Sequence, residues 1–219
     1  MSVAVVTGGT GALGRAVVNA FSQSGYEVYL TTIDESERAG YQGPGKVDVV
    51  NLASLEEAKR WVAGINKPIS AAALVAGGFT MQPIEKASEE DFEHLMNLNA
   101  RSAFYSLSVL VPYLERAGSS SVVMVGARVY SGAASMALYA GSKAFVVSLA
   151  KSASIELKAK GIRVNVILPD IIDTPANRRV MPDADFEKWA KPEEIAQVIL
   201  YLCSEESRLI TGAAIPVGR

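Results

Sequence analysis

The chain predicts an α/β fold, a single Rossmann-type, doubly wound parallel sheet with helices on both faces, spanning residues 1–219 as one domain. Three observations lead there. Short β-rich runs alternate with longer segments of helical period. Several of those runs are continuous Val, Ile, Leu and Ala rather than alternating, as strands buried on both faces should be. The first run leads directly into a glycine-rich turn that opens a helix.

The elements follow in order. Strands are expected at Val3–Thr7, Glu27–Thr31, Lys46–Val49, Ala71–Val75, Ser121–Val125, Arg163–Leu168 and Ala214–Val217. Helices are expected over Leu13–Ser24, Ser54–Ile65, Ser88–Leu114, Ser135–Lys160 and Pro192–Ser204. No repeat, low-complexity tract or dividing linker interrupts them. The segment DTPANRRVMPDADFEKWA, Asp173 to Ala190, has no clear period, and long loops of this kind often serve as lids or binding loops.

At 219 residues, 49% hydrophobic, the chain can bury a full core. A net charge of -2 gives no sign of a nucleic-acid partner. No apolar run reaches membrane-spanning length, and the first residues carry no basic leader region, so no membrane partner is expected. One cysteine, Cys203, excludes an internal disulfide and makes a cytoplasmic setting the default. Cys203 reads as a core residue. The single His, His94, leaves no zinc site and reads as a helix-surface residue.

Gly9-x-Gly11-x-x-Gly14, between a β-run and an amphipathic helix, fits the dinucleotide fingerprint. Missing Cβ atoms let backbone N–H groups approach a pyrophosphate at the helix N-terminus. The cofactor is therefore expected to be NAD or NADP. The choice falls at the end of the second strand, where an acid would bind the adenosine ribose and a base a 2′-phosphate. Thr32 occupies that position and is neutral; Asp34 follows two residues later. Asp34, Glu35 and Glu37 would repel an added phosphate, which favours NAD while leaving NADP open.

Tyr139 and Lys143, four apart in YAGSK, share one face of a helix. A nearby ammonium should favour the phenolate and lower a tyrosine pKa from its usual ~10, making Tyr139 a proton donor in reduction and an acceptor in reverse.

Together these motifs resemble the short-chain dehydrogenase/reductase family over nearly the whole chain. TGGTGALG (Thr7 to Gly14) resembles its glycine motif in the spacing Thr7-Gly8-x-x-Gly11-x-x-Gly14, with Ala12 where Gly is usual. VAGG (Val75 to Gly78) stands where the family has Asn-Asn-Ala-Gly, and NLNARSAF places Asn99 at the active-site asparagine. YAGSK matches Tyr-x-x-x-Lys. GIRVNVILPDIIDT resembles the segment after the sixth strand, with Asp170 for the usual Gly.

The resemblance implies catalytic roles for Tyr139, Lys143 and Asn99, with Lys143 also on the nicotinamide ribose and Asn99 linked to it through water. It implies cofactor contacts from Gly8, Gly9, Thr10, Gly11, Ala12, Leu13, Gly14, Ala76 and Gly77. Asp48 and Val49 would meet adenine. Pro169, Ile172 and Thr174 would meet the nicotinamide end. It also implies a homodimer or homotetramer through the long helices.

Within the family, GAR (Gly126 to Arg128), VAGG and DTPANRRVMPDADFEKW resemble dihydropteridine reductase, where a Gly-Ala-basic triplet replaces the catalytic serine. The expected function is an NAD(P)H-dependent reductase of a small molecule, a quinonoid dihydropteridine or similar conjugated acceptor. Two alternatives stay open: a carbonyl or alcohol oxidoreductase using Ser131 or Ser135 as donor, and a cofactor-binding sensor or scaffold with little turnover. Arg128, Arg178 and Arg179 are either substrate contacts or solvated charges. Phe186 and Trp189 either stack on a flat substrate or pack the loop onto the body.

Overall fold

The computed structural model describes residues Met1–Arg219. Seven strands form one sheet: β1 (Val3–Thr7), β2 (Glu27–Thr32), β3 (Lys46–Val49), β4 (Ala71–Leu74), β5 (Ser120–Val125), β6 (Ile162–Pro169) and β7 (Ala214–Val217). Their order is β3-β2-β1-β4-β5-β6-β7, and every pair is parallel. From β1 the chain builds outwards to β2 and β3, then returns to place β4 on the other side. The reversal point lies between β1 and β4, where open sheets of this type bind ligands beyond their strand ends.

The continuous apolar strands are buried on both faces. One layer buries Trp61, Val62 and Ile65 of α3 (Leu55–Ile65), Leu107 and Leu110 of α5 (Ser102–Glu115), and Val146, Val147 and Ala150 of α6 (Ala137–Glu156). The opposite layer buries Val17 and Phe21 of α1 (Ala12–Gln23) with Ile195, Ile199 and Leu202 of α8 (Pro192–Cys203). At roughly 1.5–3 kcal/mol per fully buried large aliphatic or aromatic side chain, this two-sided burial is the main favourable term. Cys203 sits in the second layer, as expected, and burial pushes its thiol up to about 12. Arg163 ties the far end of the sheet to α8, its guanidinium donating to the carbonyls of Leu202, Ser204, Ser207 and Ile210.

Two short helices lie outside the periodic segments: α2 (Glu35–Gly40) and α7 (Pro175–Val180). Each is started by a side-chain cap, from Asp34 and Thr174 respectively, rather than by an apolar stripe. The expected helix from Ser88 to Leu114 is interrupted. A capping box of Ser88 and Asp91 starts α4 (Glu89–Leu95), a π-helical turn occupies Met96–Arg101, and α5 continues from Ser102. Wide turns of this kind frequently mark functional sites, and this one carries Asn99. No helix is long and apolar enough to cross a membrane.

Candidate active site

A cleft of about 830 Å³ opens over the strand ends on either side of β1. Gly8, Thr10, Gly11, Ala12, Leu13 and Gly14 form its floor. The loop is built for close approach. Gly8 has φ of 64° and passes so near β4 that a Cβ would stand 2.8 Å from the Ala76 Cα. A Cβ on Gly14 would run into the Gly8 carbonyl oxygen. α1 begins at Ala12 with no side chain capping it, so its first N–H groups are left for a ligand. These features fit a dinucleotide's pyrophosphate. Gly9 is spent differently: it packs on Leu30 and does not line the cleft.

The acid at the end of β2 is not the expected one. Asp34 faces away, its carboxylate accepting from the backbone N–H groups of Ser36 and Glu37 at the head of α2. These bonds hold its carboxyl below the usual range. Glu37, one turn on, reaches back into the cleft. Its Oε2 accepts from the hydroxyls of Thr10 at 2.5 Å and Thr32 at 2.7 Å. Thr32 thus stands where expected and presents Glu37 instead of an acid of its own. The pattern Asp34-x-x-Glu37, a helix-start signature, was the available signal, because it places Glu37 on the first turn.

The structure does not bring Asp48 and Val49 to the cleft wall. Both are still within β3, and the Asp48 carboxylate accepts from Trp61 Nε1 at 3.1 Å, away from the cleft. The chain crosses the sheet edge only afterwards, so Val50, Asn51, Leu52 and Ala53 form that wall.

Gly77 connects the cleft to the reaction residues. It lines the cleft, and a Cβ on it would meet Asn99 Oδ1 at 2.6 Å and Lys143 Nζ at 3.1 Å. Asn99 is buried and fully engaged. Its Oδ1 accepts from Gly78 N–H at 2.9 Å, and its Nδ2 donates to the Gly78 carbonyl and Ser142 Oγ, both at 3.0 Å. Lys143 Nζ donates to the Val125 carbonyl at the end of β5, at 3.0 Å. Tyr139 packs edge-on against Phe79, ring centres 4.9 Å apart. Gly77→Ala is expected to push Asn99 and Lys143 apart and lower kcat about 10²-fold, the scale of a 1 Å misplacement, measured by steady-state kinetics against wild type.

The electrostatics reverse one expectation. Lys143 Nζ lies 6.0 Å from the Tyr139 ring centre and is bonded elsewhere. Burial alone governs the phenol and pushes its pKa above the ordinary range instead of below it. Burial also lowers the Lys143 ammonium, to about 8.

The segment after β6 is mostly self-contained. Arg178 forms a two-point bond to Asp173 and stacks on Phe186, which in turn packs on the buried Trp189. Arg178, Phe186 and Trp189 therefore pack the loop and are not free for a substrate. Thr174, Pro175, Ala176 and Arg179 line the cleft. Pro169 and Ile172 lie outside that wall, and Asn177 Nδ2 takes the Ile172 carbonyl at 2.8 Å. His94 is exposed on the surface of α4, as expected, and from there borders the cleft with Asn97, Leu98 and Ser102. The widened π turn after it changes which residues face inwards, and a regular helical period gives no sign of that.

A family model described as enoyl-(acyl carrier protein) reductase matches residues 9–218. A 3-oxoacyl-(acyl-carrier-protein) reductase of Thermotoga maritima is 30% identical over 234 residues, 98% of this chain and 95% of that protein. The chain belongs to the short-chain dehydrogenase/reductase family. Dehydrogenase/reductase SDR family member 4 of Homo sapiens is 28% identical, over 99% of this chain and 86% of that protein. Among solved folds, an NADPH-bound short-chain oxidoreductase of Pseudomonas aeruginosa with an atypical catalytic centre superposes with a TM-score of 0.90 at 23% identity, covering 99% and 95% of the two chains. An NADH complex of 3-ketoacyl-(acyl-carrier-protein) reductase from Brucella melitensis gives 0.88 at 22%, covering 99% and 96%. This short-chain dehydrogenase/reductase has a seven-stranded sheet, with Gly126-Ala127 closing β5 before α6.

Proposed function

We propose that this short-chain oxidoreductase reduces a quinonoid dihydropteridine or a similar flat, conjugated small molecule, with Tyr139 as proton donor and NADH as the preferred reductant. The observation that carries the reading is the end of β5. Gly126 packs against Leu168, and buried Ala127 follows, so neither residue offers a hydroxyl to polarise a substrate carbonyl. Losing such a donor typically costs ~2.7–4 kcal/mol in the transition state. A quinonoid acceptor tolerates that loss, because its product gains conjugation; an ordinary ketone does not.

NAD or NADP supplies the hydride when bound. The chain's own residues do the rest. Tyr139, neutral because it is buried, holds the proton to be given. Lys143 and Asn99, converging on Gly77, fix the geometry of the inner end. Glu37 offers its carboxylate where an adenosine ribose would hydrogen-bond and an added phosphate would be repelled. Glu37→Ala is expected to raise KM for NADH about 10- to 100-fold, the scale of bonds to a charged group, while NADPH is favoured relative to wild type. The ratio of kcat/KM for the two cofactors measures it, and an unchanged ratio would remove Glu37 from cofactor choice.

Exposed Phe104 on α5 and Phe145 and Ile155 on α6 support a homo-oligomer. The deciding assay offers quinonoid dihydropterin and a panel of ketones with NADH or NADPH. Pterin turnover is expected. Ketone turnover alone would favour the carbonyl-reductase reading, which the Thermotoga maritima relative supports. Cofactor binding without turnover on any acceptor would favour a sensor.

A further inference from the structure

We propose that Arg128 and Asp170 together read an amide-type edge of the substrate, a carbonyl oxygen beside an N–H. The inference rests on the flat-acceptor reading above and narrows it to heterocycles carrying such an edge. Arg128 follows Gly126-Ala127 at the end of β5, three residues beyond the carbonyl that holds Lys143. Asp170 follows the end of β6, the neighbouring strand, so both side chains emerge at one place on the sheet edge.

Arg128 Nη1 donates to Asp170 Oδ2 at 3.3 Å. The other Asp170 oxygen accepts only from the backbone of Ile171, at 3.0 Å. The 3.3 Å bond to Asp170 is the one hydrogen bond the Arg128 guanidinium makes, which leaves most of its five N–H donors free. Both side chains are about half exposed, at 51% and 50%, and exposed pairs contribute little to stability. Space has nevertheless been kept for the pair. A Cβ on Gly218 would stand 3.1 Å from Asp170 Cβ and 4.0 Å from Arg128 Nη1.

The reaction residues reach the same end of β5 through the bond from Lys143 to the Val125 carbonyl, and apolar side chains are exposed around them. Phe79, packed on Tyr139, is 54% exposed, Met81 is 61% exposed and Ile171, next to Asp170, is 39% exposed. An apolar side chain next to Asp170 and another on Tyr139, at the strand ends that carry the charged pair, suit a ring with apolar faces and one polar edge. Asp170 accepts from the N–H, and Arg128 donates to the adjacent oxygen. The 2-amino-4-oxo edge of a pterin has that arrangement, whereas a plain quinone or bicyclic arene does not.

The test is binding, so it does not depend on turnover. Pterin and quinoxaline, a flat bicycle without the edge, are titrated into the protein with and without NAD+. Wild type is expected to prefer pterin at least about tenfold, and Asp170→Asn to weaken pterin binding about tenfold while leaving quinoxaline binding near wild type. Arg128→Met should act in the same direction and gives a second readout if Asp170→Asn fails to fold. Preference retained in a folded variant, or no pterin binding by wild type, overturns the proposal. Edge-dependent pterin binding without reduction of quinonoid dihydropterin leaves it standing and overturns the proposed reaction instead.

Discussion

Tyr139→Phe is expected to lower kcat for reduction by about 10²- to 10⁴-fold, the usual contribution of a positioned general acid. The phenol ring is held by Phe79 on its edge, so Phe in its place keeps the packing and removes only the hydroxyl. Burial raises the Tyr139 pKa, so the group is protonated throughout the neutral range and ready to donate. The reverse reaction has the opposite requirement. Oxidation needs the phenolate, whose fraction rises about tenfold per pH unit below its pKa. Wild type should therefore show a reduction rate with no Tyr139 titration near pH 7 and an oxidation rate that climbs with pH. Cofactor affinity, followed by fluorescence titration, should stay near wild type in the variant. Unchanged kcat would remove Tyr139 from the mechanism.

The sheet was legible because its signal is strong and local. Continuous apolar runs with helical segments between them admit few arrangements, and all seven expected strands are present within a residue or so at each end. The glycine loop was legible for the same reason: a strand–turn–helix unit leaves its turn at the strand ends, and Gly8 and Thr10 to Gly14 line the cleft while Gly9 packs on Leu30. Failures fall where a side chain chooses between neighbours. Asp34 and Glu37 are both acids near one strand end, and only the start of α2 decides that Asp34 caps while Glu37 turns inwards. Asp48 was lost to Trp61, a partner thirteen residues away that no local spacing reveals. Tyr139 and Lys143 share a helix face as the i, i+4 rule requires, yet the rule does not say how deeply they are buried. That depth set the direction of the phenol's shift.

Lys143→Met is expected to abolish most activity and yet stabilise the free protein. Lys143 is buried, and no carboxylate hydrogen-bonds or pairs with it; its one bond is to the Val125 carbonyl. Burial lowers its pKa from an ordinary 10.5 to about 8. The sign follows from proton counting. Below pH 8 the side chain is charged in both folded and unfolded states, and the folded state bears the whole cost of burying it. Between about pH 8 and 10.5 the unfolded chain binds more protons, so this residue's contribution makes stability rise with pH. A shift of this size corresponds to about 3 kcal/mol at neutral pH. Met has a similar length and no charge, so it removes that cost, offset by about 1 kcal/mol for the carbonyl left without its donor. The net gain of about 2 kcal/mol should raise Tm by roughly 4–8 °C in a chain of this size. The difference in stability from wild type, measured by urea unfolding at several pH values, should shrink as pH rises above 8. In wild type, kcat/KM for reduction should fall over the same range as the ammonium is lost. A Tm equal to or below that of wild type at pH 7 would mean that the ammonium is better solvated than its surroundings indicate. A folded, stabilised and inactive Met variant would instead show a charge retained at a cost in stability because the reaction requires it.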